Sequence, residues 1–169
     1  MIFEGTMLAH QSRHGEVAGS GERLAHFPAR CRAAGLKLTQ QRLAVYSMLA
    51  NTEAHPTPED VFETIRPELP LVSLATVYKI LDQFHRAGFV RRVSTEGQAA
   101  RYDAKIEPHH HLVCTGCGAI QDVHLEAEPD LSKGLPAGAE FQVARYDVIF
   151  HGQCSYCRRK SSRADSRSA

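Results

Sequence analysis

Residues 109–122 read His-His-His-Leu-Val-Cys-Thr-Gly-Cys-Gly-Ala-Ile-Gln-Asp. Three histidines, a Cys-x-x-Cys pair and an acid fall within that one segment, and a second Cys-x-x-Cys, Cys154 to Cys157, lies near the C-terminus. Two such pairs separated by a structured span have the spacing of a four-thiolate zinc site. Cys114, Cys117, Cys154 and Cys157 would close a tetrahedron of sulfurs with no open position, so the expected role is structural. A thioredoxin-like redox pair is the alternative, but it needs a strand-to-helix setting that neither pair has here.

The residues before Cys114 carry a different chemistry. His109–Cys114 reads as a strand, Thr115–Gly118 as a knuckle turn and Ala119–His124 as a second strand. Successive side chains of a strand point to opposite faces, so His109 and His111 share a face and His110 points away. Two imidazoles on one face are half a transition-metal site. Asp122 on the second strand and Asp103 upstream are candidate carboxylates, and His55, just before Pro56, is a further candidate. Imidazole mixed with carboxylate favours Fe(II), Mn(II) or Zn(II) over soft Cu(I). The competing reading is a solvated histidine cluster that holds no metal.

Downstream, Pro129–Ala137 reads as a weak helix or loop, and Glu140–Phe150 as a longer strand rich in β-branched and aromatic residues. The result is a small α/β unit with antiparallel strands. Such sheets often continue across a two-fold axis, so a homodimer is expected.

Upstream lie helices and a hairpin. Glu22–Ala34 places Leu24, Phe27 and Cys31 at helical spacing and ends at Gly35. Thr39 is an N-cap for Gln40–Ala50, whose apolar face carries Val45, Met48 and Leu49. Thr57-Pro58-Glu59-Asp60 opens a third helix with a cap, a proline and acids in the first turn. Ser73 caps a fourth, in which Leu74, Val77, Ile80, Leu81 and Phe84 share one face until Gly88 stops it. The run from Phe89 to Asp103 then gives two short strands around a Thr-Glu-Gly turn. Short helices followed by a hairpin are a winged-helix pattern, with the fourth helix as the recognition helix of a helix-turn-helix. Ser73, Thr76, Tyr78 and Lys79 stand where that helix would meet a DNA groove, Arg42 is a phosphate candidate, and Arg91 or Arg92 would reach phosphate from the wing. Ordinary solvated surface is the competing reading, since helix-turn-helix arrangements also occur in proteins that bind no DNA.

The fold class is therefore α+β. A disordered N-terminal segment, residues 1–20, precedes a winged-helix domain over 21–103 and a hinge over 104–108. A dimerisation and metal-binding domain over 109–157 follows, and then a disordered, Arg- and Ser-rich tail over 158–169. The chain has 169 residues and a formal net charge of +1, so no long-range field marks a partner. No run is apolar enough to cross a membrane and no secretory signal opens the sequence, which points to the cytoplasm, where paired cysteines bind metal more often than they form disulfides. No membrane partner and no small organic substrate are expected. An enzyme is the first rival from another class: His124-Leu-Glu126 with a later Cys-x-x-Cys is faintly similar to zinc deaminases. Against it, Gln153 stands where that signature has proline, and Cys114 and Cys117 would be left without a role. A zinc-stabilised protein-interaction module is the second rival.

Several runs together resemble the ferric uptake regulator family: GLKLTQQRLAVYSML, AHPTPEDVF, SLATVYKIL, GFVRR, ARYD, HHHLVCTGCG and CSYC, in the family's order over roughly residues 22–157. The resemblance implies a dimeric, metal-dependent repressor that binds double-stranded operator DNA. Structural Zn(II) would sit on the four cysteines, and regulatory Fe(II) or Mn(II) at the hinge, on His55, Asp103, His109, His111 and Asp122. Tyr78 matches a tyrosine that the family places on DNA. Aspartates at 103 and 122 look like the peroxide-sensing subgroup, in which oxidation of a ligand histidine, here His55 or His109, ends repression. An iron- or manganese-responsive uptake regulator is the alternative. A further family site expects an acid at His110 and a histidine at Tyr146, so that site is expected to be absent or altered.

Overall fold

The computed structural model describes residues 19–93, 99–126, 131–134 and 146–165. Four helices come first: α1 (Ser20–Ala33), α2 (Gln40–Ala50), α3 (Pro58–Ile65) and α4 (Leu74–Arg86). Each start follows from its capping residue. The Thr39 hydroxyl accepts from the Arg42 amide, Ser73 does the same for Thr76, and Thr57 forms a reciprocal capping box with Asp60. Gly35 and Gly88 end α1 and α4 at φ +66° and +71°, backbone that side-chain-bearing residues rarely adopt.

The apolar faces of these helices close over one core. Phe27 stacks on Tyr46 at 4.1 Å, and Phe84 and Phe89 meet that pair edge-on. Val45, Leu49, Val61, Val77 and Leu81 fill the space around the rings, and Cys31 is one of its small buried members. Truncating one of these rings to alanine would cost about 3–5 kcal/mol. The strands β1 (Arg91–Val93) and β2 (Arg101–Asp103) pair antiparallel beside the core and complete the winged helix. The turn residues 94–98 lie outside the described residues.

Beyond residues 104–109, β3 (His110–Cys114) pairs antiparallel with β4 (Ile120–Val123) and parallel with β5 (Ile149–Gly152), in the order β4-β3-β5. Two expectations change here. The long strand over Glu140–Phe150 is replaced, within the described residues, by a short β5 that begins at Ile149 and runs on to Gly152; residues 140–145 lie outside them. That strand runs parallel to β3, not antiparallel. Its direction puts Gly152 opposite Cys114, so the two strands deliver both Cys-x-x-Cys pairs to the same end of the sheet.

A third change concerns the tail. Where an unstructured segment was expected from Arg158, helix α5 covers Ser155–Asp165. Its first turn is set by the second cysteine pair, with the Arg158 amide donating to the Cys154 carbonyl at 3.0 Å. Arginine and lysine continue a helix well once that costly first turn exists. The expected loop or helix at Pro129–Ala137 contains a 3-10 turn at Leu131–Gly134, the rest lying outside the described residues, as do residues 1–18. No helix among the described residues is long and apolar enough to cross a membrane.

Candidate metal centres

Two ligand clusters flank β3. The sulfurs of Cys114, Cys117, Cys154 and Cys157 all lie within 4.8 Å of one another, and Cys117 Sγ stands 3.9 Å from Cys154 Sγ. A Zn–S bond of about 2.3 Å gives a tetrahedron with edges of about 3.8 Å, so the sulfurs already have the spacing of a zinc shell. It is far from a disulfide, whose S–S bond is about 2.05 Å. The amide N–H of Cys154 donates to Cys114 Sγ at 3.2 Å, and that of Cys157 to Cys154 Sγ at 3.4 Å. Amide donors, led by Cys154, pull the Cys114 thiol down to about 6, while burial and the neighbouring sulfurs push Cys157 up to about 12. One thiolate forms readily and the last does not, so a full set of four needs a cation among them.

The second cluster draws on the winged helix, the linker and the sheet. His55, Asp103, His109, His111 and Asp122 each offer a donor atom within 4.8 Å of the others. His55 precedes α3, Asp103 ends β2, His109 precedes β3, His111 lies on it, and Asp122 is its register partner on β4. The His55 side chain is 1% exposed and that of His109 2%. His55 holds φ +50°, strained for a residue with a side chain. Its carbonyl accepts from Arg101 at 3.0 Å, and the adjoining Pro56 carbonyl accepts from the Tyr102 amide at 3.0 Å, so β2 fixes the bend. Strain of this kind persists where surrounding structure over-determines it, commonly at functional sites.

Which nitrogens face the cluster is settled from behind. His55 Nδ1 donates to the Glu53 carbonyl at 3.0 Å and His109 Nδ1 to the Glu107 carbonyl at 2.8 Å. Each ring then turns an Nε2 lone pair inward, as metal-bound imidazoles do. Those lone pairs meet other acceptors: His55 Nε2 stands 2.8 Å from Asp122 Oδ1, and His109 Nε2 stands 3.0 Å from Asp103 Oδ2. Yet His55 Nε2, Asp103 Oδ2 and Asp122 Oδ1 are buried atoms without a hydrogen bond of proper geometry. Electron pairs converging at such distances repel unless a proton or a metal cation stands between them. The donor set therefore fits a divalent metal.

Charge agrees with that picture. Burial and the neighbouring His109 and His55 pull His111 down to about 4, so it is a neutral ligand at pH 7. Burial opposes charge on His109, but Asp103 and the Glu107 carbonyl outweigh it and raise its pKa above the ordinary value. Burial would raise the pKa of Asp122, yet His55 and Lys105 hold it well below the usual carboxylate range.

Sequence spacing overlooked one participant. Lys105, two residues past Asp103, donates from Nζ to Asp122 Oδ2 at 2.7 Å and to Glu53 Oε1 at 3.2 Å. Nothing in the linear pattern marks it, since its partners are distant in sequence. Of the two wing arginines offered as phosphate contacts, Arg91 bonds Asp147 at 3.2 Å and the Ile106 carbonyl at 3.0 Å, while Arg92 is exposed. His110 faces away from the cluster, as the alternation predicts. It is buried, accepts from the Val148 amide and stacks near Tyr146.

The DNA-contact candidates gather on the exposed side of α4 and at its start. Ser73 and Thr76 share a 2.8 Å hydroxyl hydrogen bond, Lys79 is exposed, and Tyr78, 45% exposed, donates to Glu59 at 2.6 Å. Arg42 reaches α4 from α2, donating to the Gln83 side chain at 2.7 Å.

A winged helix joined to a small sheet, with one ligand cluster spanning the two, is the build of a metal-responsive transcription regulator. The chain belongs to the ferric uptake regulator family, whose sequence profile matches residues 33–151. It is 30% identical to the "Peroxide operon regulator" of Bacillus subtilis (strain 168) over 76% of this chain and 88% of the relative. In structure it is similar to the ferric uptake regulator of Helicobacter pylori, with a TM-score of 0.68, 24% identity and coverage of 86% and 97% of the two chains. A zinc uptake regulator complexed with zinc and DNA matches at a TM-score of 0.62 and 25% identity, over 85% and 97% of the two chains.

Proposed function

We propose that the protein is a homodimeric, metal-dependent repressor of peroxide-stress genes. Its DNA affinity would be set by Fe(II) or Mn(II) on His55, Asp103, His109, His111 and Asp122, with Zn(II) held structurally by the four cysteines. The observation that carries this reading is the second cluster itself. Its donors come from both sides of residues 104–108, so a metal there favours the arrangement that brings them together. Winged helices in a dimer would then sit at the spacing of two operator half-sites, with Ser73, Thr76, Tyr78 and Lys79 toward the groove. Among the described residues, Leu112 and Phe150 leave apolar surface exposed on the sheet, which supports pairing with a second copy. The DNA-bound zinc regulator supports duplex DNA as the partner.

Peroxide sensing is supported by the two aspartates and by the Bacillus relative's name. Fe(II) held by these residues would catalyse the step, in which one peroxide oxygen inserts into a ring C–H bond, the imidazole gives up the two electrons that the peroxide takes, and the other oxygen leaves as water. The subgroup resemblance points to the imidazoles of His55 and His109 as the groups oxidised, and an added ring oxygen makes either a poorer ligand. The protein then gives up its metal and its DNA.

The test is anaerobic Fe(II) loading followed by a brief peroxide pulse, with peptide mass spectrometry and DNA retardation in parallel. One added oxygen on the His55 or His109 peptide, with DNA binding lost, is expected. Unmodified histidines, with retardation that merely follows free iron or manganese, would instead make the protein an uptake regulator.

A further inference from the structure

One residue holds the outer oxygen of both carboxylates in the second cluster. The Lys105 backbone N–H donates to Asp103 Oδ1 at 2.8 Å, and its ammonium donates to Asp122 Oδ2 at 2.7 Å. The opposite oxygens, Asp103 Oδ2 and Asp122 Oδ1, are the ones that face the imidazoles without hydrogen bonds. A second tie from Nζ to Glu53 Oε1, 3.2 Å away, anchors the ammonium at the residue whose carbonyl orients His55. The Lys105 side chain is only 19% exposed, so its head is held rather than free in solvent.

The consequence is a matter of counting donors. A carboxylate chelates a metal only when both its oxygens face it, and here each aspartate has one oxygen turned outward to Lys105. The set thus presents three imidazole nitrogens and two single oxygens. Fe(II) and Mn(II) with nitrogen and oxygen ligands accept six donors in octahedral geometry. Five from the protein leave one position for a small molecule. Were Asp122 released, its second oxygen would be able to swing in and close that position. The backbone tie to Asp103 survives every substitution at 105 except proline, whereas the side-chain tie to Asp122 is lost with an aliphatic side chain.

We infer that Lys105 is a positioning residue that confines Asp122 to one oxygen and so keeps one coordination position of the regulatory metal open to water or a small oxidant. The inference rests on the proposed metal site. It is tested with the zinc-loaded, full-length protein and Mn(II) alone as the probe, by measuring the longitudinal relaxation of water protons, which reports water bound directly to the ion. Wild type is expected to show the enhancement of an ion carrying an exchanging water. Lys105→Met and Lys105→Ala should lose most of it, while Lys105→Gln, which retains an N–H donor for Asp122, should keep it. Two aliphatic variants are used because either side chain alone can disturb folding, which circular dichroism checks first. Equal enhancement in wild type and a folded Met or Ala variant would overturn the inference, as would loss in Lys105→Gln equal to that in Met. Failure of the underlying reading looks different: wild type would then show no stoichiometric Mn(II) binding that His109→Ala abolishes, and the inference would fall with it.

Discussion

Gly116 sits between the first two cysteines, and a methyl group there is the sharpest probe of the four-sulfur cluster. A Cβ at that position would lie 3.0 Å from Cys157 Sγ, 3.1 Å from Cys157 Cβ and 3.8 Å from Cys114 Sγ. Comfortable contact needs roughly 3.5 Å, so Cys157 would have to retreat by about half an ångström. Zinc ligands tolerate deviations of only about 0.2 Å. Crowding of this kind typically costs about 1–3 kcal/mol. At about 1.4 kcal/mol per factor of ten, Gly116→Ala should weaken zinc binding by roughly 5- to 150-fold. The assay is competition against a chromophoric zinc chelator under reducing, anaerobic conditions. Gly35→Ala is the control: it sits at φ +66° with nothing within 4 Å of the added methyl, so it strains backbone far from the sulfurs. It should lower stability by about 1–2 kcal/mol while leaving zinc affinity alone. Equal zinc affinity in Gly116→Ala and wild type would refute the placement of Cys157 as a ligand.

His55→Ala removes one of five donors and should weaken Mn(II) binding by at least about a hundredfold, above the range seen when only a supporting contact is lost. Zinc content by elemental analysis should stay unchanged, and a joint loss of both metals would mean that the clusters are not separate. In metal-free protein, NMR titration should place His111 near 4 and His109 above its ordinary value. Between the unfolded value of about 6.5 and about 4, the unfolded chain binds a proton that native His111 refuses, so acidification through that window destabilises the fold through this group. The raised His109 contributes with the opposite sign: its stabilisation is fully present below about 6.5 and fades as pH rises through the native value. A normal His111 midpoint would mean that its ring is solvated. On the DNA side, Arg92→Ala should reduce the salt slope of operator binding by about one, because Arg92 is exposed on the wing while Arg91 is held by Asp147. A full unit lost in Arg91→Ala instead would reverse that assignment.

The parts of this molecule that were legible in sequence are those encoded by local spacing. Helices α2, α3 and α4 begin where Thr39, Thr57 and Ser73 allow, because capping is settled within four residues. The four cysteines were legible for the same reason, since two short pairs restrict what can bind them. Long-range direction was not. Nothing in Ile149–Gly152 says that it runs parallel to β3, and that direction decides which end of the sheet receives Cys154. Nor did composition reveal α5, whose first turn is set by the cysteine pair rather than by an apolar face.

The regulatory cluster lies between these cases, and the reason bears on how it works. Alternation on β3 puts His109 and His111 on one face, but a face is not a position. Distance is settled only when β2 bends His55 into a left-handed backbone and Lys105 draws Asp103 and Asp122 onto one line of contact. Those restraints come from separate elements and cross the linker, so each is weak alone and they act together. The Lys105 bridge from Glu53 to Asp122, and that of Arg91 to Asp147, already link the two parts without a metal. Arg91 is 11% exposed and Asp147 38%, so the pair is partly desolvated and the cost of burying its charges offsets much of their attraction. A metal that joins five donors across the same gap adds far more, and its differential affinity for the joined form sets how far the equilibrium moves. Under the proposed regulatory role, closure would then be favoured modestly by these charges and decisively by a divalent ion, the balance a reversible regulator needs.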